Sequence, residues 1–251
     1  MISVNTHTPD FSELTNIVYT LGDRVKQEMS QDLEIEEKSA ELVTRIDRLI
    51  EMEARKLIKA QYGNVNFLGE EFPNEDNGSD VTFIIDPLDG TESLIYREFN
   101  TTISIVEIKL VHGLVYDFMK DILYETKSSQ YMMRKPIPFL RLTNANKIRV
   151  LVSGRPGVEE TQRILKEDPR IQVTRAYGSV ALQTVQTAGN YEYIRDGKIK
   201  TWDIAGATPF IQSLDDTSIL SRENTFKYNT PETVIVVRHS FQDEFLKILN
   251  I

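Results

Sequence analysis

The 251-residue chain contains no cysteine. Disulfides, zinc thiolates and a cysteine nucleophile are therefore excluded, and a reducing cytoplasm is the simplest setting. Histidine is scarce: His7, His112 and His239 stand far apart, without the spacing of a metal site. No apolar stretch approaches the length needed to cross a bilayer, and Met1 to Asp10 is polar, with no basic region leading into an apolar run. Lysine and arginine form no cluster that could track a nucleic-acid backbone, and acidic residues exceed basic ones by 38 to 29, for a formal charge of -9. These absences predict a soluble cytoplasmic protein that engages neither membrane nor nucleic acid. An acidic protein acting on an anionic substrate must find positive charge locally, from arginines, backbone N–H groups or bound cations.

Apolar residues Phe11, Leu14, Ile17, Val18, Leu21 and Val25 recur at three- and four-residue steps and predict a first amphipathic helix. The charged segment Gln31 to Glu41 reads as a mobile loop. A second helix is expected from Leu42, carrying Ile46, Leu49, Ile50, Leu57 and Ile58 inward and stopping before Gly63. Short β-like runs follow at Val65 to Leu68, Val81 to Ile85, Thr102 to Ile108, Gly113 to Phe118 and Ile122 to Tyr124, an antiparallel meander by their turns. Two prolines and a polar cluster between Lys135 and Asn146 mark a boundary, which divides the chain into halves 1–146 and 147–251. The second half predicts strands at Ile148 to Ser153, Val173-Thr174, Tyr191 to Ile194 and Thr233 to Val237. Its helices are predicted at Val158 to Leu165, Ser179 to Gln186 and Ala205 to Leu214.

Acidic residues recur at the ends of these elements. Asp86-Pro87-Leu88-Asp89-Gly90-Thr91 follows a buried strand; Pro87 fixes one backbone angle, Gly90 allows close approach of a ligand, and Thr91 to Ile95 can open a helical turn with free N–H groups. Such a turn can hold metal and phosphate side by side, or Asp86 and Asp89 can simply cap it. Gly69-Glu70-Glu71 follows another strand, where adjacent glutamates are ordinarily solvated. In Trp202-Asp203-Ile204-Ala205-Gly206 the acid opens an apolar helix and serves equally as an N-cap. Asp196-Gly197 reads as a hairpin turn or as a substrate contact.

In their order and spacing these segments, together with Val43-Thr44-Arg45-Ile46-Asp47 and Tyr177-Gly178-Ser179-Val180, resemble the inositol monophosphatase superfamily along nearly the whole chain. The resemblance implies a layered αβαβα sandwich with two sheets, like fructose-1,6-bisphosphatase, with the site between the halves. It implies that Glu70, Asp86, Asp89 and Asp203, with the carbonyl of Leu88, hold two or three Mg²⁺ ions, and that Asp47, Thr91 and Glu70 border and orient the attacking water. Four converging carboxylates repel one another, and hard divalent cations reverse that balance and recruit a phosphate dianion. The phosphate is expected against the N–H groups of Gly90 and Thr91, and the substrate hydroxyls beside Gly178, Ser179 and Val180. Asp196 occupies the position of a substrate-binding glutamate in relatives, and Lys38 that of a lysine near the metals.

The implied reaction is hydrolysis of a small phosphate monoester by metal-activated water, without a phosphoenzyme. An inositol monophosphate is the first expectation, because Phe67-Leu68-Gly69-Glu70-Glu71 looks most like that branch. Histidinol phosphate and a 3'(2'),5'-bisphosphate nucleotide are the alternatives, and a silent metal-binding regulatory protein is the rival from another class. Inhibition by Li⁺ and a homodimer are further expectations from the resemblance. Two departures stand out: the usual hairpin is not recognisable around Ser128 to Leu142, and Ser213-Leu214-Asp215-Asp216 replaces an acidic Gly-Gly turn.

Overall fold

A computed structural model describes residues 12–31, 35–38, 41–98, 100–107, 112–127, 130–134, 147–154, 158–187, 191–197, 199–221 and 233–250, with backbone alone at 35–38, 41–43, 127 and 130–134. Helix α1 (Ser12–Glu28) buries Leu14, Ile17, Val18, Leu21 and Val25, the stripe its periodicity foretells. The charged segment after it is not a loop throughout. Strands β1 (Ile35–Lys38) and β2 (Glu41–Thr44) pair antiparallel, with Ile35 opposite Thr44. Lys38 closes β1, and its side chain lies outside the described residues.

Helix α2 (Arg45–Tyr62) begins three residues later than its apolar pattern suggests. Thr44 ends β2 and caps the helix: its hydroxyl oxygen accepts from Ile46 N at 3.1 Å, while Thr44 N donates to Asp47 Oδ2 at 2.8 Å. That reciprocal box satisfies two groups at once and sets the start. The core face of α2 includes Ile46, Ile50, Ala54 and Ile58.

Strands β3 (Asn66–Gly69), β4 (Thr82–Asp89), β5 (Thr102–Glu107), β6 (His112–Asp117), β7 (Ile122–Lys127) and β8 (Gln130–Arg134) form one sheet in chain order. β3 runs parallel to β4, and the rest is an antiparallel meander. β7 and β8 pair up to Lys127 opposite Gln130, while 128–129 and 135–142 of the segment flagged in the sequence lie outside the described residues. A short helix α3 (Thr91–Ile95) follows β4.

The second sheet has the order β10 (Ile171–Arg175), β9 (Ile148–Gly154), β11 (Glu192–Asp196), β13 (Val234–Arg238), β12 (Thr217–Ser221). Here β9, β10 and β11 are parallel, and β12 and β13 are antiparallel. The predicted helix over Ala205 to Leu214 is two short ones, α6 (Thr201–Ala205) and α7 (Thr208–Gln212), with Pro209 in the first turn of α7. Proline there lacks the N–H that a continuous helix would need.

Three apolar clusters define the layers. The first joins α1 and α2 to one face of the six-stranded sheet through Leu21, Ile50, Phe83, Ile105 and Leu114. The second fills the middle, where α5 (Val180–Gln186) and α7 lie between Val115 and Tyr124 on one sheet and Tyr193 and Val236 on the other. The third seats α4 (Val158–Leu165) and α8 (Gln242–Leu249) on the outer face of the second sheet, around Val152, Ile194, Val237 and Phe245. The order is α, β, α, β, α, as the resemblance implies. Each sheet is covered on both faces, so its strands read as nearly continuous apolar runs.

One ion pair ties this frame to the segment carrying Glu70. Glu51 and Arg55, one turn apart on α2, are both buried and meet at 2.6 Å. Arg55 also donates to the carbonyls of Phe72 (3.2 Å) and Pro73 (2.9 Å), and Glu51 Oε2 accepts from Glu71 N at 2.7 Å. Removing one partner of such a pair strands a buried charge. Arg55→Met is expected to cost ~3–5 kcal/mol in urea unfolding, and Glu51→Leu/Arg55→Met to recover much of it; equal losses would assign the effect to packing of the arginine stem.

Candidate active site

β4 carries the acids out of the first sheet through an irregularity. Asp86 pairs with Ser104 and Asp89 with Thr102, so three steps on β4 answer two on β5. Pro87 fits this bulge because it has no N–H to offer the ladder. Gly90 follows with φ 89°, and a Cβ there would lie 2.6 Å from Ser179 N and 2.7 Å from Asn100 O. Only glycine allows the turn to sit so closely against the second half.

Asp89 bridges that contact. Its Oδ2 accepts from Ser179 Oγ at 2.7 Å and Ala181 N at 2.6 Å, and its Oδ1 accepts from Val180 N at 3.1 Å. Ser179 spends its one proton on Asp89, so the 2.8 Å contact with Thr102 Oγ1 is donated by Thr102. The Gly178-Ser179-Val180 segment is thereby fixed to the Asp86–Thr91 turn.

Asp47, in the first turn of α2, accepts from Thr44 Oγ1 through Oδ2 at 2.6 Å. Its Oδ1 lies 2.7 Å from Thr91 Oγ1, which is also 2.9 Å from the carbonyl oxygen of Leu88. Asp203 is at the third position of α6, not the N-cap, and its Oδ2 accepts from Lys200 N at 3.1 Å. The helix backbone reaches the first sheet at Gly206, where a Cβ would meet Ser104 Oγ at 2.2 Å. Glycine lets α6 pack down on β5 and carry Asp203 over Asp86.

The electrostatics report the convergence of these acids. Burial pushes the Glu70 carboxyl up to about 8, with the charges of Asp203, Glu71, Asp47 and Asp89 adding to it. Asp86, 1% exposed, is driven well above the carboxylate range by burial and then by Glu70, Asp89 and Asp203. Burial lifts Asp89 to about 6 against the hydrogen bonds from Ser179, Ala181 and Val180 and the charge of Arg195. Asp47 is raised by burial, opposed by its bonds to Thr44 and Thr91.

A divalent cation suits this donor set. Asp86 Oδ1 is buried with no hydrogen-bond partner, a hard oxygen set among other acids. Among the described residues, no group of three or more acids is closed around a single point at coordination distance. The two observations agree physically: carboxylates that repel one another turn to protein donors, as Asp47, Asp89 and Asp203 do, and leave Asp86 for a cation. Glu70, Asp86, Asp89, Asp203 and the Leu88 carbonyl are the groups that would hold it.

Of the residues singled out in the sequence, Asp196 is not brought to this cluster. Alternation along β11 turns Tyr193 toward the middle layer and Asp196 outward, where its carboxylate accepts from Thr161 on α4, from Thr233 Oγ1 at 3.2 Å and from Gly197 N at 3.0 Å. Sequence reasoning also missed Glu51 and Arg55, whose i, i+4 spacing on α2 was the available signal. His112 is buried, with Nε2 3.1 Å from Glu125 Oε1.

A model of the inositol monophosphatase family matches residues 10–214. The inositol-1-monophosphatase of Bacillus subtilis is 31% identical over 213 residues, which cover 78% of this chain and 79% of that protein. The 3'(2'),5'-bisphosphate nucleotidase of Haemophilus influenzae is 25% identical over 254 residues, covering 94% of this chain and 92% of that one. The solved structure of the extragenic suppressor protein suhB from Bartonella henselae has a TM-score of 0.83 at 18% identity, covering 95% of this chain and 97% of its own. Motif order, five-layer fold and family match agree, and the chain belongs to the inositol monophosphatase family, a family of phosphatases.

Proposed function

We propose that the chain is a Mg²⁺-dependent phosphomonoesterase that hydrolyses inositol monophosphates, with Glu70, Asp86, Asp89, Asp203 and the Leu88 carbonyl as the metal ligands. The observation that carries this reading is the set of buried, mutually repelling carboxylates around the unpartnered oxygen of Asp86. Mg²⁺, which the family uses, supplies acidified water and charge neutralisation for phosphoryl transfer when bound.

The chain's own groups then have separable tasks. Thr91 Oγ1 gives its proton to Asp47 Oδ1 or the Leu88 carbonyl, so its lone pairs are free to accept from the attacking water. Asp47, raised by burial, is a stronger base than a solvated aspartate and draws that proton through Thr91. Glu70 orients the same water. The N–H groups of Gly90 and Thr91 face the phosphate, where donors fixed by the turn stabilise charge that develops in the transition state. Gly178, Ser179 and Val180, held by Asp89, form the wall toward the alcohol part of the substrate. In this reading the first half carries most metal ligands, and the second brings Asp203 and the substrate-selecting residues. Li⁺ inhibition, a homodimer and a cytoplasmic location belong to the same proposal.

A panel of inositol phosphates, histidinol phosphate, fructose bisphosphate and adenosine bisphosphate, assayed for phosphate release with and without Mg²⁺, tests the function; release from none would favour the silent protein. Asp89→Asn is expected to lower kcat/KM at least about 100-fold with the circular-dichroism spectrum unchanged, and near-normal turnover would refute its ligand role.

The carboxyls also set a pH signature. Glu70 titrates near 4.5 when unfolded and about 8 in the metal-free fold, and Asp89 moves from 3.8 to about 6. A raised acid favours the fold while protonated, so this stability is present below the unfolded value and is lost as pH rises through the folded one. In EDTA the melting temperature is expected to fall between about pH 4.5 and 8, and the upward shift caused by Mg²⁺ to grow over the same range. A shift that shrinks as pH rises would contradict cation binding by these groups.

A further inference from the structure

The outer side of α2 forms a cavity that none of the acids of the site lines. Met52, Lys56 and Lys59 follow one another at helical steps of four and three, so they share one stripe of the helix. Phe72 to Glu75 form the opposite wall, and the space between is about 560 Å³. Buried Arg55 is its floor. Cavities of roughly 300–1,000 Å³ take small organic ligands.

The walls are fixed before anything binds. Glu75 and Phe67 exchange two backbone hydrogen bonds, each of 2.9 Å, and Arg55 holds the carbonyls of Phe72 and Pro73. The guanidinium is fully spent, its N–H groups going to Glu51, Glu75 and those two carbonyls. The lysines are not. Lys59 gives one N–H to Glu75 at 2.6 Å and keeps the others, and exposed Lys56 makes no ion pair among the described residues.

These pairings set the charge of an occupant. Glu51 cancels Arg55 and Glu75 cancels Lys59, so the charge of Lys56 remains, a local positive surplus on a chain of net charge -9. Its apolar part is set by Phe72, Pro73 and Met52, which is 54% exposed. Thioether, phenyl ring and ammonium each favour an aromatic ring laid against them. A hydrated sugar phosphate offers no such ring. The cavity also shares a wall with the site: Phe72 is two residues from Glu70, and Glu51, the partner of Arg55, accepts from Glu71 N at 2.7 Å.

We propose that this cavity binds an aromatic monoanion, its anionic group on Lys56 and Lys59 and its ring on Met52 and Phe72, and that occupancy shifts the cation affinity of the acids through the 70–73 segment. The binding stands apart from the phosphatase reading, and the coupling rests on the metal assignment within it.

Anilinonaphthalene sulfonate (ANS), an aromatic monoanion whose fluorescence rises when it leaves water, is the probe, and uncharged N-phenylnaphthylamine is its control. One ANS is expected to bind the intact chain, and the uncharged probe to bind at least about tenfold more weakly, the scale of a charge-assisted hydrogen bond. Lys56→Glu should weaken ANS by a similar factor and leave the uncharged probe unaffected, whereas Met52→Gln should weaken both. Lys166→Glu, beyond α4 in the opposite outer layer, should change neither. Absence of a saturable site, equal affinity for the two probes, or ANS affinity that survives Lys56→Glu overturns the site. Mg²⁺ is expected to shift the ANS Kd about fivefold or more, and ANS to shift the calorimetric Mg²⁺ Kd by the same factor; unchanged values overturn the coupling. Should Mg²⁺ not bind at all, the metal assignment and the coupling fall together, and the ANS titration in EDTA still decides the cavity.

Discussion

Carboxylates confined together out of water raise each other's cost of ionisation, and nearly every local device around this site is a restraint on that repulsion. Glu70, Asp86 with Asp89, and Asp203 come from three separate segments of chain, and no one of them could be held in place by its own turn alone. Asp86 shows the constraint at its plainest, buried to 1% exposure with an oxygen that no donor reaches. Left to itself, such a group would protonate or drag its strand toward water. The strand stays because its flanks are apolar on both faces, with Ile84 against α6 and Ile85 in the α1 and α2 layer.

The restraints differ in kind, and each answers one acid. Glu70 depends on the Glu51–Arg55 pair, which grips the backbone of 71–73 from below. Asp47 depends on the capping box at Thr44, which turns a carboxylate that would otherwise repel Glu71 into a helix start. Asp203 depends on Gly206, where the absence of a side chain lets α6 settle on β5. Asp89 depends on three donors from Ser179 to Ala181. These restraints sit on different elements, yet Thr91 ties the capping-box acid Asp47 to the turn that carries Asp86 and Asp89.

Much of this could be read from the chain, and the failures have physical causes. Val158 to Leu165 was read to the residue because an apolar stripe at helical spacing has no competing pattern there. Leu42 to Thr44 misled because Leu42 and Ile46 are four apart, and that spacing runs straight across a strand-to-helix junction. The Thr-x-x-Asp of the capping box was the better marker of the true start. Strands β1 and β2 were obscured by charge, since Ile-Glu-Glu-Lys lacks alternation, while β12 and α8 went unassigned for want of a strong boundary signal. The acids of the site were legible through the order of their motifs along the chain. Their supports were not, because Glu51 and Arg55 look like any solvated helix pair until burial is known, and Asp196 read equally as a turn or a substrate contact until the alternation of β11 turned it outward.

Asp89 occupies both sides of this balance, and that has a structural consequence. Its oxygens hold the start of α5 and the Gly178–Val180 wall against the twin-acid turn, and they also belong to the groups that would bind a cation. A divalent ion at Asp89 competes for lone pairs that Ser179, Val180 and Ala181 now use. A carboxylate has about four such sites and the fold takes three, so binding must either share the remaining direction or loosen a donor. Whichever donor yields lies at the start of α5, next to the segment proposed to face the substrate. Cation occupancy and the position of the start of α5 would therefore be linked through a single side chain, Asp89.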